Sequence, residues 1–301
     1  MLRRPRPSAL LMVFASACLG ACATTTSQSG RTQFVVPKQV GAAYSEIELQ
    51  AMLSLAPDSA CAAKIADKAC EAAVTFRRQV QQIGSRLGRA ARDMRGELGR
   101  PVPYFQVMVP AKEEQGTLSS AGGTVVVFDG LRSLDFQEPA LAFVVAREMG
   151  HVLAEHHEEN SATSLMMSAA ITLALPMANL LRGAAAVSTT AATATATTSV
   201  AATAATTAAS VAGTRVLKSL YRPEQLREAD MLALRLMVRA GWTPMEVADA
   251  LQAAAPRLKE EGWMEELLVS KQRLDQITMG PPWLLPSTVA AAGSSTVAAV
   301  D

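Results

Sequence analysis

One apolar helix in the middle of the chain constrains the fold most. It begins at Pro139, runs through almost unbroken apolar sequence, and ends in the string Arg147-Glu148-Met149-Gly150-His151, followed by Val152 and Leu153. Proline at the first helical position and the apolar residues after it predict a helix. Any chemistry of this chain is expected on this helix.

This string differs from a zinc motif at one position. Zinc peptidases place two histidines at i and i+4, where both reach one metal ion, and a glutamate beside the first histidine activates the metal-bound water. Here Arg147 stands at the first histidine position, while Glu148 and His151 keep the base and second-ligand positions. Such a string alone arises by chance in helical proteins, so its surroundings decide its meaning.

Three separated stretches, at residues 120–131, 142–159 and 221–244, resemble the M48 metallopeptidase family, whose members include HtpX, BepA and LoiP. They resemble, in that order, the strand that edges the family's cleft, its zinc helix, and its third-ligand helix with the turn after it. The resemblance covers about residues 45–275. It implies a zincin (gluzincin)-like fold of the α+β class, mainly helical, with a small β-sheet edging the cleft.

The resemblance also implies roles for single residues. The family's third zinc ligand is a glutamate four residues before the aspartate of a Glu-Ala-Asp string, and that position is Leu226 here. Arginine cannot lose its proton to coordinate a metal, and leucine has no lone pair. His151 is then the one retained ligand and Glu148 an idle base. Zinc is the metal that the family implies, and we predict that none is bound.

Two acidic residues near Leu226 are expected to lie next to the metal-site residues without binding the metal themselves. Asp230 has that role in the family, and Glu228 lies two residues from the ligand position, roughly on the opposite face of the helix. The fixed charge of Arg147 could bind one of these carboxylates or Glu148. Its side chain could equally extend to solvent, and the sequence leaves both arrangements open.

Two other features allow a binding role or a plain structural one. His156 and His157, among several glutamates, either bind metal or form a solvated helix end. Gly122 and Gly123 either admit a peptide strand against the neighbouring edge or simply make a turn. This cleft edge is the binding surface that we expect to survive the loss of the metal ligands.

The first residues have the pattern of a secretion signal. Three arginines precede a short apolar run, residues 9–19, that is too brief to span a bilayer. The run ends in Leu19-Gly20-Ala21-Cys22, which resembles a lipoprotein signal; an ordinary signal peptide is the alternative. The resemblance implies removal of residues 1–21, acylation of Cys22, and the periplasmic face of the bacterial outer membrane. The membrane is therefore one expected partner, through the N-terminal lipid.

Cysteine use agrees with export to an oxidising compartment. Cys18 leaves with the signal and Cys22 would carry the lipid, which leaves Cys61 and Cys70 as a pair. One continuous helix would hold these two residues roughly 13 Å apart, farther than a disulfide tolerates. A disulfide therefore requires a bend or loop between them, and two buried free thiols are the alternative.

The remaining pattern predicts one domain with appendages. Residues 22–43 are small and polar, as in a linker, and the metallopeptidase-like domain follows at 44–280. An Ala/Thr-rich insert at 183–214 and a flexible tail at 281–301 complete the chain. The apolar run at 165–181 is predicted to be a buried or membrane-surface helix.

Regular elements are predicted at both ends of this domain. Helical spacing indicates two amphipathic helices within residues 45–98, and short strands are expected at 104–109 and 124–128. A further helix should begin at Pro223, and another near Thr243, where threonine is a plausible N-cap.

The function classes follow from these observations. Lys plus Arg number 28 and Asp plus Glu 27, so no basic excess indicates nucleic acid as a partner. The leading hypothesis is a lipid-anchored pseudopeptidase that binds unfolded polypeptides or envelope proteins. The alternatives are an active zinc metalloendopeptidase with ligands drawn from His151, Glu228 and the His156/His157 pair, and a membrane-interaction protein in which residues 165–214 matter more than the cleft.

Overall fold

The structure is a computed structural model that describes residues 23–27, 29–63, 68–166, 222–260 and 262–279. The predictions for the signal segment, Cys22, the Ala/Thr-rich insert and the C-terminal tail lie outside the described residues. The same holds for the apolar run at 165–181 beyond its first two residues. No helix within the described ranges is long and apolar enough to cross a bilayer.

Helices dominate the described residues, and the architecture is the predicted mainly helical α+β class. The helices are α1 (Lys38–Leu55), α2 (Lys68–Asp93), α3 (Arg95–Leu98), α4 (Glu138–Leu153), α5 (156–166), α6 (222–239), α7 (Pro244–Ala254) and α8 (Gly262–Met279). The strands are β1 (Ala23–Thr26), β2 (Thr32–Val35), β3 (Gln106–Met108), β4 (Thr117–Ser119) and β5 (Thr124–Val127).

The chain divides into two compact units, and the smaller includes residues 23–26, 32–41 and 158–166. Here β1 and β2 form an antiparallel hairpin in which Ala23 lies opposite Val35. The linker predicted at 22–43 is therefore wrong for residues 23–43. The threonines that make this segment look like a tether are β-branched and favour strands, and buried Val35 and Val36 anchor the hairpin.

The larger unit includes residues 27–31, 42–157 and 224–279 among those described. Helix α4 lies at its centre, and every residue from 140 to 153 except His151 is buried. Helices α2 and α7 and strands β4 and β5 pack around α4. The predicted helix is confirmed, and its apolar sequence follows from contact on all sides.

A three-stranded sheet in the order β3-β5-β4 packs beside α4. Strand β3 is parallel to β5 and β4 is antiparallel to it. Two of these strands were predicted, slightly too long, whereas β4 was not, because three residues between turns carry little periodic signal. The turn between β4 and β5 contains Gly123, whose φ of 95° and closeness to the carbonyl oxygen of Tyr104 leave no room for a side chain.

Two local predictions can be compared directly with the structure. The Thr243 side chain caps α7 in a capping box with Glu246, and Pro244 follows in the first turn, which confirms the predicted helix start. Cys61 and Cys70 form a disulfide with a Cα–Cα distance of 5.4 Å. Cys61 lies in a 3₁₀ turn and Cys70 in α2, so the two are not on one continuous helix.

Candidate functional site

Arg147 is buried in the larger unit instead of reaching solvent, with only 1% of its surface exposed. Its guanidinium donates from one terminal nitrogen to Ser270 Oγ at 3.4 Å and lies 5.4 Å from the centre of the Trp263 ring. Its Nε atom is buried without a hydrogen-bond partner. The position of the family's first metal ligand is thus filled by a cation that is enclosed by protein.

Asp230 is the carboxylate that faces this cation. Ser270 Oγ donates to Asp230 Oδ1 at 2.9 Å, and Arg273 donates to Oδ2 at 2.8 Å. Burial raises the pKa of Asp230, and the charge of Arg147 and the hydrogen bonds from Ser270 and Arg273 oppose that rise without cancelling it. We call these residues the Arg147 cluster: Arg147, Asp230, Trp263, Ser270 and Arg273.

Glu148 points away from that cluster, toward strand β4. Thr117 and Ser119 donate to its two carboxylate oxygens, each at 2.7 Å. Ser119 Oγ lies 2.9 Å from His157 Nε2, and the Trp263 indole donates to Thr117 Oγ1 at 2.9 Å. Since each hydroxyl has one proton and gives it to Glu148, His157 Nε2 must donate to Ser119. We call Thr117, Ser119, Glu148 and His157 the Glu148 cluster.

Glu228 has four side-chain hydrogen-bond partners. Ser27 donates to it at 2.6 Å, Ser29 donates to the same oxygen, and Arg31 donates to the other at 3.2 Å. His156 Nε2 lies 2.9 Å from that second oxygen. The three N-terminal donors belong to the turn between β1 and β2. We call Ser27, Ser29, Arg31, His156 and Glu228 the Glu228 cluster.

The donors around Glu228 decide its ionisation. Burial alone would raise the pKa of Glu228, because only 1% of its side chain is exposed. The hydrogen bonds from His156, Ser27, Ser29 and Arg31 outweigh burial and leave the pKa well below its usual range. Glu228 is therefore a buried, ionised carboxylate.

A row of hydrogen bonds connects α4 to this carboxylate. His151 Nδ1 lies 2.9 Å from His156 Nδ1, and His156 Nε2 lies 2.9 Å from Glu228 Oε2. One of the two Nδ1 atoms must carry the hydrogen of the first contact. The structure thus brings His151, His156 and Glu228 together, and it places His157 in the Glu148 cluster.

Close packing of α4 on α6 holds these clusters in place. A Cβ atom added at Gly150 would lie 2.5 Å from the carbonyl oxygen of Ala229, so only glycine allows the two backbones to approach this closely. Gly150 lies between Arg147 and His151 on α4, and Ala229 lies between Glu228 and Asp230 on α6. One glycine contact therefore sets the spacing of both buried carboxylates from α4.

The helical core, the small sheet and residues 147–151 of α4 are those of a metallopeptidase-like domain. Residues 77–277 match the model of Peptidase family M48, and the chain belongs to this family. No curated protein matches the chain.

The residues at the metal position do not fit the zinc that the family uses. Arg147 offers no lone pair, and the buried side chain of Leu226 is hydrocarbon. His151 is the one family ligand present, and its Nδ1 bonds to His156. Within the described ranges, no group of three or more His, Cys, Asp or Glu side chains is placed to hold a metal ion.

Sequence reasoning missed most of the polar residues that fill the site. They share no motif and lie far apart in the chain: Ser27, Ser29, Arg31, Thr117, Ser119, Trp263, Ser270 and Arg273. The Ser-Gly pair at 29–30 is a turn signal that could have indicated a hairpin. Nothing in the sequence indicates that this turn reaches Glu228.

Proposed function

We propose that this protein is a lipid-anchored, exported pseudopeptidase that binds extended polypeptide at the edge of its cleft and does not hydrolyse it. Unfolded or envelope proteins on the periplasmic side of the outer membrane are the proposed partners, and acylated Cys22 is the proposed anchor. Zinc is not expected to be part of its function.

The observation that carries the loss of catalysis is the buried Arg147 cluster. A metal ion and a guanidinium cannot occupy neighbouring buried positions without strong repulsion. Here the guanidinium has its own enclosure, made by Trp263, Ser270 and, through Ser270, Asp230. The site is built around a fixed cation, and a fixed cation cannot lower the pKa of a bound water as zinc does.

The Glu148 cluster supports the same conclusion. In a working zinc peptidase the glutamate takes a proton from metal-bound water. Glu148 instead accepts hydroxyl protons from Thr117 and Ser119 on both oxygens. These contacts fix the carboxylate against β4 and give it a structural role.

The cleft edge supports polypeptide binding. Strand β4 is at one end of the sheet order β3-β5-β4, so in the described part of the chain one side of it pairs with no neighbouring strand. An extended peptide can add to such an edge through main-chain hydrogen bonds. The narrow turn at Gly122 and Gly123 lies directly after this strand.

The test is cleavage and binding of unfolded casein by the same preparation. We expect casein to be retained and to stay intact, with no effect of a chelator on either result. Chelator-sensitive cleavage that Glu148→Gln abolishes would contradict the proposal. Incorporation of labelled palmitate, with Cys22→Ser as the control, tests the anchor separately.

One observation favours the alternative of an active zinc metalloendopeptidase with non-standard ligands. His151, His156 and Glu228 form a row with two contacts of 2.9 Å, so three residues of ligand type lie near one another, although no three such side chains in the described ranges are placed to hold one metal ion. Cleavage that disappears in His156→Ala but persists in His157→Ala would select this alternative. Equal, chelator-insensitive inactivity of all three proteins would eliminate it.

A further inference from the structure

The outward face of α1 carries a row of apolar side chains. Val40, Tyr44, Ile47, Ala51 and Leu55 are spaced by three or four residues, so on an α-helix they fall within one narrow arc. All five are exposed, and Ile47 and Leu55 most of all, at 71% and 82%. We call these five residues the α1 stripe.

The core does not explain the α1 stripe, because α1 already buries its opposite face. Leu49 of α1 and Ala56, directly after it, form one buried cluster with Val126 of β5 and Phe128, directly after that strand. Ser45 accepts a hydrogen bond from the backbone of Ala121 at 2.9 Å. Contiguous apolar surface on the solvent side of a helix usually marks an interaction site.

The hairpin before α1 indicates what lies against the stripe. Ala23, which directly follows Cys22, pairs with Val35, and α1 begins three residues later at Lys38. Paired strand residues are about 5 Å apart and three residues span at most about 10 Å, so α1 begins within roughly 15 Å of Ala23. A lipid on Cys22 would therefore insert into a bilayer next to the start of this helix.

We infer that the α1 stripe lies at the boundary between headgroups and acyl chains of that bilayer, as a second attachment beside the lipid. The choice of partner rests on the proposed acylation of Cys22. Because two or three acyl chains already anchor a protein stably, the stripe acts by fixing how the anchored helix lies on the membrane. On α1 itself, which is described throughout, Lys38 is the one basic residue, and Glu48 and Gln50 flank the stripe. The attachment is therefore apolar, and it does not require anionic lipid.

The test uses the chain starting at Ala23, because every contact described above lies after Cys22. Its flotation with phosphatidylcholine vesicles is compared with that of Ile47→Glu/Leu55→Glu. The matched control is Gln252→Glu/Ala253→Glu, which adds the same charge at exposed positions of α7. We expect the stripe variant to reduce vesicle partitioning by at least about tenfold, because burial of an isoleucine or leucine side chain is worth that much. The control and added salt should leave partitioning unchanged.

Other outcomes overturn the inference. No partitioning of the parent chain, or equal partitioning of all variants, would show that the stripe does not contact lipid. Parent chains that self-associate in solution, with the stripe variant monomeric, would assign the stripe to a second copy of this chain. Thermal unfolding of each variant confirms that the fold is retained. Palmitate incorporation at Cys22 is measured independently, so loss of the anchor and loss of the stripe contact are distinguishable.

Discussion

Glu228 and Asp230 lie two residues apart on α6, and both are buried, yet their surroundings act on them in opposite directions. Glu228 accepts hydrogen bonds directly from a histidine, two serines and an arginine, and its pKa is lowered. Asp230 has two direct donors and the nearby charge of Arg147, and its pKa is raised. The difference shows that four directly aimed donors outweigh burial at Glu228, whereas burial outweighs two donors and a nearby positive charge at Asp230.

The comparison also separates two arrangements of polar residues around the position of the family's metal site. In the Arg147 cluster, a cation takes the place of a ligand and is only partly satisfied, since its Nε has no partner. In the Glu228 cluster, a turn from the N-terminal hairpin supplies the donors that complete a carboxylate. In the first arrangement a buried guanidinium stands where the family has a metal ligand. In the second, the hydrogen bonding of Glu228 on α6 depends on residues of the N-terminal turn.

The largest effect is expected for Glu228→Gln. The amide cannot accept from all of these donors, and it leaves buried polar groups unsatisfied, so the free energy of unfolding should fall by about 2–4 kcal/mol at neutral pH. Chemical denaturation measures this loss. Glu224→Gln, which removes a half-exposed carboxylate on the same helix, is the control and should change the stability by less than about 1 kcal/mol.

The same variant has a predicted pH dependence. The folded pKa of Glu228 is lowered, so its contribution is present above the unfolded value of about 4.3 and is lost as the pH falls toward the folded value. The stability gap between parent and Glu228→Gln should therefore narrow below about pH 4. A gap that widens in acid would mean that Glu228 is protonated in the fold.

Gly150→Ala tests whether both clusters depend on one helix contact. The new methyl group would meet the carbonyl oxygen of Ala229 at 2.5 Å. We therefore expect the free energy of unfolding, measured by chemical denaturation, to fall by about 1–3 kcal/mol. Gly96→Ala is the matched control, because a Cβ there meets no atom within 4 Å; it should be neutral or stabilising by up to about 1 kcal/mol. Stabilisation by both substitutions would contradict the close approach of α4 and α6.

Asp230→Asn should have the smallest effect. Burial raises the pKa of Asp230, so folding disfavours the ionised carboxylate relative to a neutral group. Replacing it with a neutral amide should therefore lower the free energy of unfolding by about 1 kcal/mol or less at neutral pH. The parent carboxyl favours folding below its unfolded pKa of about 3.9 and loses that contribution as the pH rises through the folded value. Chemical denaturation between acid and neutral pH should show the loss of this contribution with rising pH in the parent and not in Asp230→Asn. Asp249→Asn, at an exposed position, is the control and should keep the pH dependence of the parent.

The parts of the fold that the sequence predicted are those with long, regular patterns. The apolar run of α4 and the Thr243-Pro244 start of α7 have local causes, namely burial on all sides and a capping box. Residues 23–35 form a hairpin, whereas the sequence predicts a linker there, because threonines are common in both strands and tethers. Strand β4 was too short to show a period.

The site was predictable only in its motif residues. Sequence placed Arg147, Glu148 and His151 on one helix, and it left open which carboxylate Arg147 would face. The answer, Asp230 through Ser270, depends on how α8 packs on α6, which no local pattern encodes. Glu228 was expected on the far side of the ligand helix, and it nevertheless bonds to His156 because the chain turns between α4 and α5.

Metal content tests the central claim most directly. Elemental analysis would compare the chain starting at Ala23 with the same chain carrying Arg147→His and Leu226→Glu. We predict a metal-free parent and about one zinc ion per chain in the double variant, because the two substitutions restore the family's missing ligands. One tightly bound zinc ion in the parent would contradict the account, because the buried Arg147 would then not have replaced the metal site.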